Sequence, residues 1–185
     1  MPKKVYCNVV KQRLIDNKRE IEDVTKVGLP EISHPTTEVK SSGMVMDVNM
    51  PDTTHLDAME FTIYHNNGVN CKYLAAPGKH TIEVRVARQK YDVPKGDIDF
   101  DGMKVRVTGV HVKSTKGDLE TGNPYGTTET YAVLHYEEEL NGKVVVLIDA
   151  MTGDLKFNGK NVNTSASHCV FSRNMPPGFT SCTMS

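Results

Sequence analysis

Alternation of apolar and polar residues restricts the fold of this chain more than any other feature of its sequence. A period of two belongs to β-strands that bury one face. The pattern is clear over residues 57–65, 81–91 and 103–113. In the last segment it slips at Gly109, which predicts a β-bulge, and then continues through Val110 and Val112. The chain is therefore predicted to be mainly β.

Turn residues divide the second half of the chain into further short strands. Asn141-Gly142 separates the apolar runs 131–139 and 143–150, and an Asn-Gly pair between such runs is the strongest short-range hairpin signal. Asn158-Gly159 and Thr152-Gly153-Asp154 predict two more turns. Together these signals indicate a mainly β domain with several short hairpins.

Three segments depart from the strand pattern. Residues 69–76, before Pro77-Gly78, have helical spacing and predict one short flanking α-helix. The charged stretch 16–26 is interpreted as a loop or a weak helix. Residues 97–102 faintly resemble a calcium-binding loop but lack its closing Glu, since Thr108 stands there, so we interpret them as a charged turn.

The stretch from Leu29 to Pro51 predicts a long hairpin that buries little within its own subunit. Its first arm is poor in core residues and contains Pro35, which excludes a central strand position. The turn is placed at 41–43, and methionines dominate one face of the second arm, as at adaptable contact surfaces. An ordinary half-buried hairpin fits the pattern equally well. The residues assigned to an inter-subunit hairpin are Ile32, Thr37, Val39, Gly43, Met44, Met46, Val48 and Met50.

Composition limits the classes of function that fit. The 22 basic and 23 acidic residues nearly cancel, so charge alone demands neither a nucleic acid nor a membrane as partner. The four cysteines are scattered, which favours reduced thiols in a cytosolic, soluble protein. We expect one β domain over residues 1–162 and a Ser/Thr-rich extension, which could be mobile, over 163–185.

Motifs for catalysis or cofactor binding are not found in the sequence. The seven histidines never fall in HExxH or cysteine-paired spacing, and GxSxG, P-loop and GxGxxG motifs are absent. We therefore expect no metal, no cofactor and no catalytic residue. Scattered carboxylates could still pair in space, so a catalytic dyad is unsupported rather than excluded.

Several short patterns, taken in order along the chain, resemble the major tail tube proteins of P2-like contractile bacteriophages. The first is Val27-Gly28-Leu29-Pro30-Glu31-Ile32, followed by Gly43-Met44 and the strand 56–61. Tyr73-Leu74-Ala75-Ala76-Pro77-Gly78 is similar to the end of the family's short helix. The Asn141-Gly142-Lys143 turn and the piece 155–159 resemble its closing hairpin and last strand. The resemblance covers roughly residues 20–160, and neither 16–22 nor the segment after Val162 has a counterpart.

The resemblance implies a structural protein of a virion tail, or of a related contractile bacteriocin, assembled in the host bacterial cytoplasm. It implies an antiparallel β-sandwich or barrel with a flanking helix, assembled as hexameric rings. The rings stack into a hollow tube that a contracting sheath drives through a cell envelope. The implied partners are further copies of the chain, the sheath, baseplate and tail-terminator proteins, and double-stranded DNA in the lumen of a phage. A conduit for DNA needs an acidic or neutral wall, and the candidates for that wall are Asp47, Asn49 and Glu60.

Two other functions stay open at this point. A soluble β-sandwich binding module with an exposed sheet edge would remain monomeric, whereas a tube protein would form rings or tubes at high concentration. An enzyme would gather titratable groups of shifted pKa in a cleft and would not form a repeating assembly.

Overall fold

The structure is a computed structural model that describes residues 4–40, 45–66 and 73–162. These residues form twelve strands, which are almost entirely antiparallel in their pairing. In chain order they are β1 Lys4–Asp16, β2 Arg19–Ile21, β3 Val24–Gly28, β4 Thr36–Val39, β5 Val48–Pro51, β6 Glu60–His65, β7 Lys79–Asp92, β8 Asp97–Lys116, β9 Thr127–Leu140, β10 Lys143–Asp149, β11 Asp154–Phe157 and β12 Lys160–Asn161.

Ten of these strands belong to one sheet. Eight of them follow one path, in the order β12-β11-β10-β9-β8-β7-β1-β2. The branch β6-β3 joins it at β9, because the first half of β9 pairs with β6 and the second half with β10. Among the described residues the hydrogen-bonded path does not close, and the sheet ends at β12, at β2 and, on the branch, at β3. The fold is mainly antiparallel β, as the sequence predicts.

The apolar residues that alternate along neighbouring strands form the core of this sheet. Phe61 and Tyr131 lie directly opposite each other on β6 and β9, and Val84 and Val105 do so on β7 and β8. All four side chains are almost completely buried. Burial of such side chains stabilises a domain by roughly 1.5–3 kcal/mol each relative to leaving them in water. The remaining core is Leu14, Ile21, Met59, Ile63, Leu74, Ile82, Val107, Val133, Tyr136, Ile148 and Leu155.

The turns predicted from Asn-Gly pairs are present. Asn141 and Gly142 have φ angles of 51° and 78°, and Asn158 and Gly159 have 50° and 80°. Positive φ at both central residues of a turn matches the right-handed twist of the flanking strands. Each pair therefore connects neighbouring antiparallel strands.

A β-bulge lies where the alternation slips, between Thr108 and Gly109, and a second register shift follows between His111 and Lys113. The first shift leaves Leu134 of β9 without a direct partner on β8, so the inward face changes phase on β9. His111 keeps the inward phase of Val105 and Val107 and lies against Tyr131, with ring centroids 5.5 Å apart. Val110 and Val112 point outward and are exposed, although they continue the apolar pattern in the sequence.

Two sequence interpretations are wrong. Residues 16–26 contain the end of β1 together with β2 and most of β3, because β2 folds back on β1 as a hairpin and β3 pairs with the distant β6. Residues 97–102 are the start of β8 rather than a turn, and the turn lies earlier, over 93–96. Half of the predicted helix at 69–76, residues 69–72, lies outside the described residues, and in the other half Tyr73–Ala75 form one 3₁₀ turn.

A buried polar cluster holds this 3₁₀ turn over one end of the core. Tyr131 donates a hydrogen bond from its hydroxyl to the carbonyl of Leu74, at 2.9 Å. His80 contacts the Ala76 carbonyl at 3.0 Å through Nε2 and the Asp16 carboxylate at 3.1 Å through Nδ1. The turn is thus anchored by side chains of β7 and β9.

Candidate assembly surfaces

The hairpin of β4 and β5 forms a separate two-stranded sheet outside the main sheet. Its register pairs Thr37 with Met50 and Val39 with Val48, while Glu38 pairs with Asn49. Directly opposed residues of an antiparallel pair share a face. One face is therefore apolar and the other polar, as predicted for this segment.

The apolar face of the hairpin is largely uncovered. Met50 is 55% exposed, Val39 is 40% exposed and Met46, next to the turn, is 72% exposed, while Val48 is half-buried. Isolated two-stranded hairpins are marginally stable in water. A pair of strands that buries so little of its apolar surface is suited to packing against another surface.

Hydrogen bonds at the base of the hairpin fix its direction of departure from the domain. His34 contacts the carbonyls of Asp52 and His55 through Nδ1, at 3.0 and 2.8 Å. Ser33 donates its hydroxyl proton to the Asp57 carboxylate at 2.9 Å and accepts the Asp57 N–H through its carbonyl. The Thr54 hydroxyl and N–H lower the pKa of Asp52 below its usual value.

The polar face of the hairpin carries Asp47 and Asn49, two of the candidates for a lumen wall. Lys40, the cation on this face, lies 3.2 Å from a Glu38 carboxylate oxygen and 3.7 Å from an Asp47 oxygen. Exposed pairs of this kind contribute little to stability. They do offset the positive charge that would hold phosphates on such a surface.

The other candidates are spread over several places. Glu60 begins β6, and its exposed side chain lies on the outer face of the main sheet. Ile32 is half-buried and packs against the core of its own subunit. Gly43 and Met44 lie outside the described residues.

The outer face of the main sheet carries cross-strand ion pairs. Arg106 lies 3.2 Å from Glu137 and 3.6 Å from Glu83, and Lys104 lies 2.6 Å from Glu139. Arg85 pairs with Glu83. The acidic run 137–139 is thus a partner for cations on β8 rather than a cation site of its own.

A second exposed surface did not emerge from the sequence analysis. The first half of β1 and the far ends of β7 and β8 extend past the core as three strands. Register places Val5, Tyr91 and Ile98 in one row on the outer face, with Phe100 beside them. Their exposed fractions are 43%, 39%, 59% and 59%. Apolar and acidic residues alternate over 98–101, which could have indicated this part of the surface from the sequence. In β1, two register shifts interrupt the alternation, so the sequence pattern does not indicate the surface there.

No group of three or more metal-ligating side chains is found within 4–40, 45–66 and 73–162. The described part of the chain also contains no helix that is long and apolar enough to span a membrane.

The open main sheet, the projecting hairpin and the uncovered apolar surfaces define a structural β protein built to contact other chains. The model of the family of phage tail tube protein FII matches residues 12–167 of this chain. The chain therefore belongs to the phage tail tube protein family, which is a family of structural proteins and not of enzymes.

One solved structure gives the same fold at low sequence identity. It is a chain of the extracellular contractile injection system PVC, in the cryo-EM structure of its sheath–tube complex in the extended state. The TM-score is 0.51 at 11% identity, and the match covers 72% of this chain and 90% of that chain. A search of curated proteins finds no match.

Proposed function

We propose that this chain assembles into stacked hexameric rings, which form the hollow inner tube of a contractile tail. The observation that carries the proposal is the hairpin of β4 and β5, which stands outside the main sheet with an uncovered apolar face. Because the chain belongs to the tail tube family, such an arm can serve to join the subunits of a tube. The tube is the conduit that is driven through the target cell envelope when the sheath contracts.

Ring formation gives the open edges of the subunit a partner. Among the described residues, β2 pairs only with Leu14–Asp16 of β1, so residues 4–13 have no strand on that side. An exposed strand edge is a template for pairing with another chain, and closure into a ring removes it. Contacts that repeat head to tail close by rotation and stack by translation.

The sheath, baseplate and tail-terminator proteins are the partners proposed for the tube, and the tail of a virion or bacteriocin particle is its location. The neighbour of similar fold belongs to a sheath–tube complex, which supports a sheath around this tube as well. If the particle is a phage, double-stranded DNA passes through the lumen. The polar hairpin face with Asp47 and Asn49, together with Glu60, is proposed to face it.

A shortened hairpin tests the role of this arm. Thr36 and Pro51 are direct partners across β4 and β5, so residues 37–50 can be replaced by Asn-Gly as a two-residue turn. We expect the variant to keep the far-ultraviolet circular dichroism and cooperative unfolding of the parent. It should lose rings and tubes in negative-stain electron microscopy at concentrations at which the parent forms them.

The matched control is Met151→Ser, which removes a methionine that is 78% exposed in the turn before β11. Its assembly should equal that of the parent. Normal tubes from the shortened variant would remove the hairpin from assembly and favour the alternative, a soluble β-sandwich module with an exposed sheet edge.

A further inference from the structure

We infer that His80 and Asp16 form a pH-sensitive switch, which holds the end of the 3₁₀ turn at Ala76 while the pair carries an extra proton and releases it when that proton is lost. Both side chains are buried, with exposed fractions of 7% and 3%. The segment that they hold covers one end of the core, where Leu74 is completely buried. The inference concerns the single chain and does not depend on its assembly into a tube.

Both ring nitrogens of His80 face oxygen atoms that accept hydrogen bonds. Nε2 lies 3.0 Å from the carbonyl oxygen of Ala76, and Nδ1 lies 3.1 Å from the Oδ2 atom of Asp16. A carbonyl oxygen has no proton to donate, and an ionised carboxylate has none either. Neutral imidazole has one N–H and one bare nitrogen, so it can satisfy one of these two oxygens. Both contacts are made together when the ring carries two N–H groups.

The second carboxylate oxygen of Asp16 also has a donor. Its Oδ1 atom accepts a hydrogen bond from the side-chain amide of Asn17 at 3.0 Å, and the backbone N–H of Asn17 donates to the Thr81 carbonyl at 3.2 Å. The carboxylate thus lies between the Asn17 amide and the His80 ring, with a hydrogen bond on each oxygen. This arrangement assigns the extra proton to the ring of His80 and the negative charge to Asp16.

Strands β8 and β9 also bring titratable groups to this place. The His80 ring packs edge-on against the Tyr131 ring of β9, with centroids 5.5 Å apart, and His111 of β8 packs on Tyr131 in the same way. The Nε2 atom of His111 lies 2.8 Å from a carboxylate oxygen of Glu129, so this second histidine has an acidic partner of its own. Asp16 is the carboxylate that contacts His80 itself.

Two further contacts hold the 3₁₀ turn, and neither uses the proton of His80. The Arg19 guanidinium of β2 lies over the Tyr73 ring, 4.7 Å from its centroid. The Tyr131 hydroxyl donates to the Leu74 carbonyl at 2.9 Å. Loss of the His80 proton should therefore free the end of the turn and leave its start in place.

The direction of the pH dependence follows from the nitrogen that loses its proton. The negative charge of Asp16 keeps a proton at Nδ1 of His80, so a ring with one proton has its bare nitrogen at Nε2. That nitrogen then faces the Ala76 carbonyl oxygen with a lone pair, and the contact is lost. Because the held state binds one proton more than the released state, rising pH favours release, by up to about tenfold per pH unit.

Hydrogen exchange measures the release directly. The Ala76 N–H donates to the Tyr73 carbonyl at 3.1 Å, so its exchange reports opening of the turn. Dilute full-length protein is exchanged between pH 5.5 and 9.0, and peptic peptides that contain Ala76 are analysed by mass spectrometry. After correction for the intrinsic exchange rate at each pH, the opening of this segment should increase as the pH rises. Peptides from β10 serve as the reference and should show no such increase.

Asp16→Asn is the variant that separates the switch from a merely structural contact. Its amide can accept from Asn17 through oxygen and donate to Nδ1 of His80 through nitrogen. Neutral His80 then has its N–H at Nε2 and keeps the Ala76 carbonyl without an extra proton. We expect opening of the turn in this variant not to increase between pH 5.5 and 9.0. An increase equal to that of the parent would overturn the inference.

A second variant covers the case in which Asp16→Asn unfolds the domain. His80→Gln has no titrating ring, so its turn should open more than the parent's at pH 5.5 and to the same extent at every pH. His55→Gln replaces an exposed histidine and should behave as the parent does. The inference would be overturned by a His80→Gln turn that still opens further as the pH rises, or by a parent turn whose opening is the same from pH 5.5 to 9.0.

Discussion

His65 is the residue whose burial has the clearest consequence for pH dependence. Its ring is 2% exposed on β6, and burial lowers the pKa of this histidine below its usual value of about 6.5. The unfolded chain, with an ordinary histidine, then binds the proton more readily than the folded chain. Folding stability should therefore fall as the pH drops through about 6.5.

The prediction for His65 is measured as a difference between variants. His65→Gln removes the titrating ring. The fall in the urea midpoint of unfolding when the pH is lowered from 7.5 to 5.5 should therefore be smaller than in the parent. Each unit of pKa difference corresponds to about 1.4 kcal/mol. His55→Gln, at an exposed position, serves as the control and should leave the parent's pH dependence unchanged. An identical slope for parent and His65→Gln would contradict the account.

The pH range from 7.5 to 5.5 lies above the range in which protonation of the carboxylates changes the folding stability. The Thr152 N–H and the His135 ring lower the pKa of Asp149, so its contribution to stability is lost only below the usual value of about 3.9. Measurements between pH 7.5 and 5.5 therefore avoid that group.

At the scale of strands, Gly109 tests whether the close approach of β8 and β9 at their register shift constrains the sequence. A Cβ added to Gly109 would lie 2.5 Å from the Ala132 carbonyl oxygen, which is backbone and cannot move aside easily. A Cβ added to Gly102, on the same strand, would meet nothing within 4 Å. We expect Gly109→Ala to lower the free energy of unfolding by about 1–3 kcal/mol.

Gly102→Ala is the matched control, and its free energy of unfolding should stay within about 0.5 kcal/mol of the parent's. Both values come from urea denaturation with circular dichroism detection. Equal stability of the two alanine variants would mean that the close approach of β8 and β9 at the bulge is not a constraint on the sequence.

The strands that bury one face could be predicted from sequence, whereas the surfaces that meet other copies could be predicted only in part. Ile82 and Val84 alternate because each must reach a single core, and that demand leaves a clean period of two. Ile98 and Phe100 also alternate, yet they follow acidic residues and face no core, so the pattern resembles a charged turn. In β1 the register shifts after Tyr6 and after Val9 remove the period altogether.

The hairpin was predictable for a different physical reason. Pro35 and the scarcity of core residues in 31–40 exclude a central strand, and the methionines that follow need some apolar surface. That reasoning identifies an arm without saying what receives it. The exposed apolar row of Val5, Tyr91 and Ile98 depends on the register of β1, β7 and β8, which local sequence patterns do not encode.

At the scale of the whole molecule, the chain is nearly neutral overall but divided into a basic first strand and an acidic hairpin region. An open sheet, exposed edges and a projecting arm agree with the repeated head-to-tail contacts proposed for a tube. Members of the family to which the chain belongs are subunits of a tube.

Electron microscopy of the purified, concentrated natural-sequence protein tests the central claim most directly. We predict hollow tubes whose end views and helical reconstruction have sixfold symmetry, with rings stacked along the axis. A particle that stays monomeric at every concentration and salt tested would contradict the account and leave a soluble β module in its place.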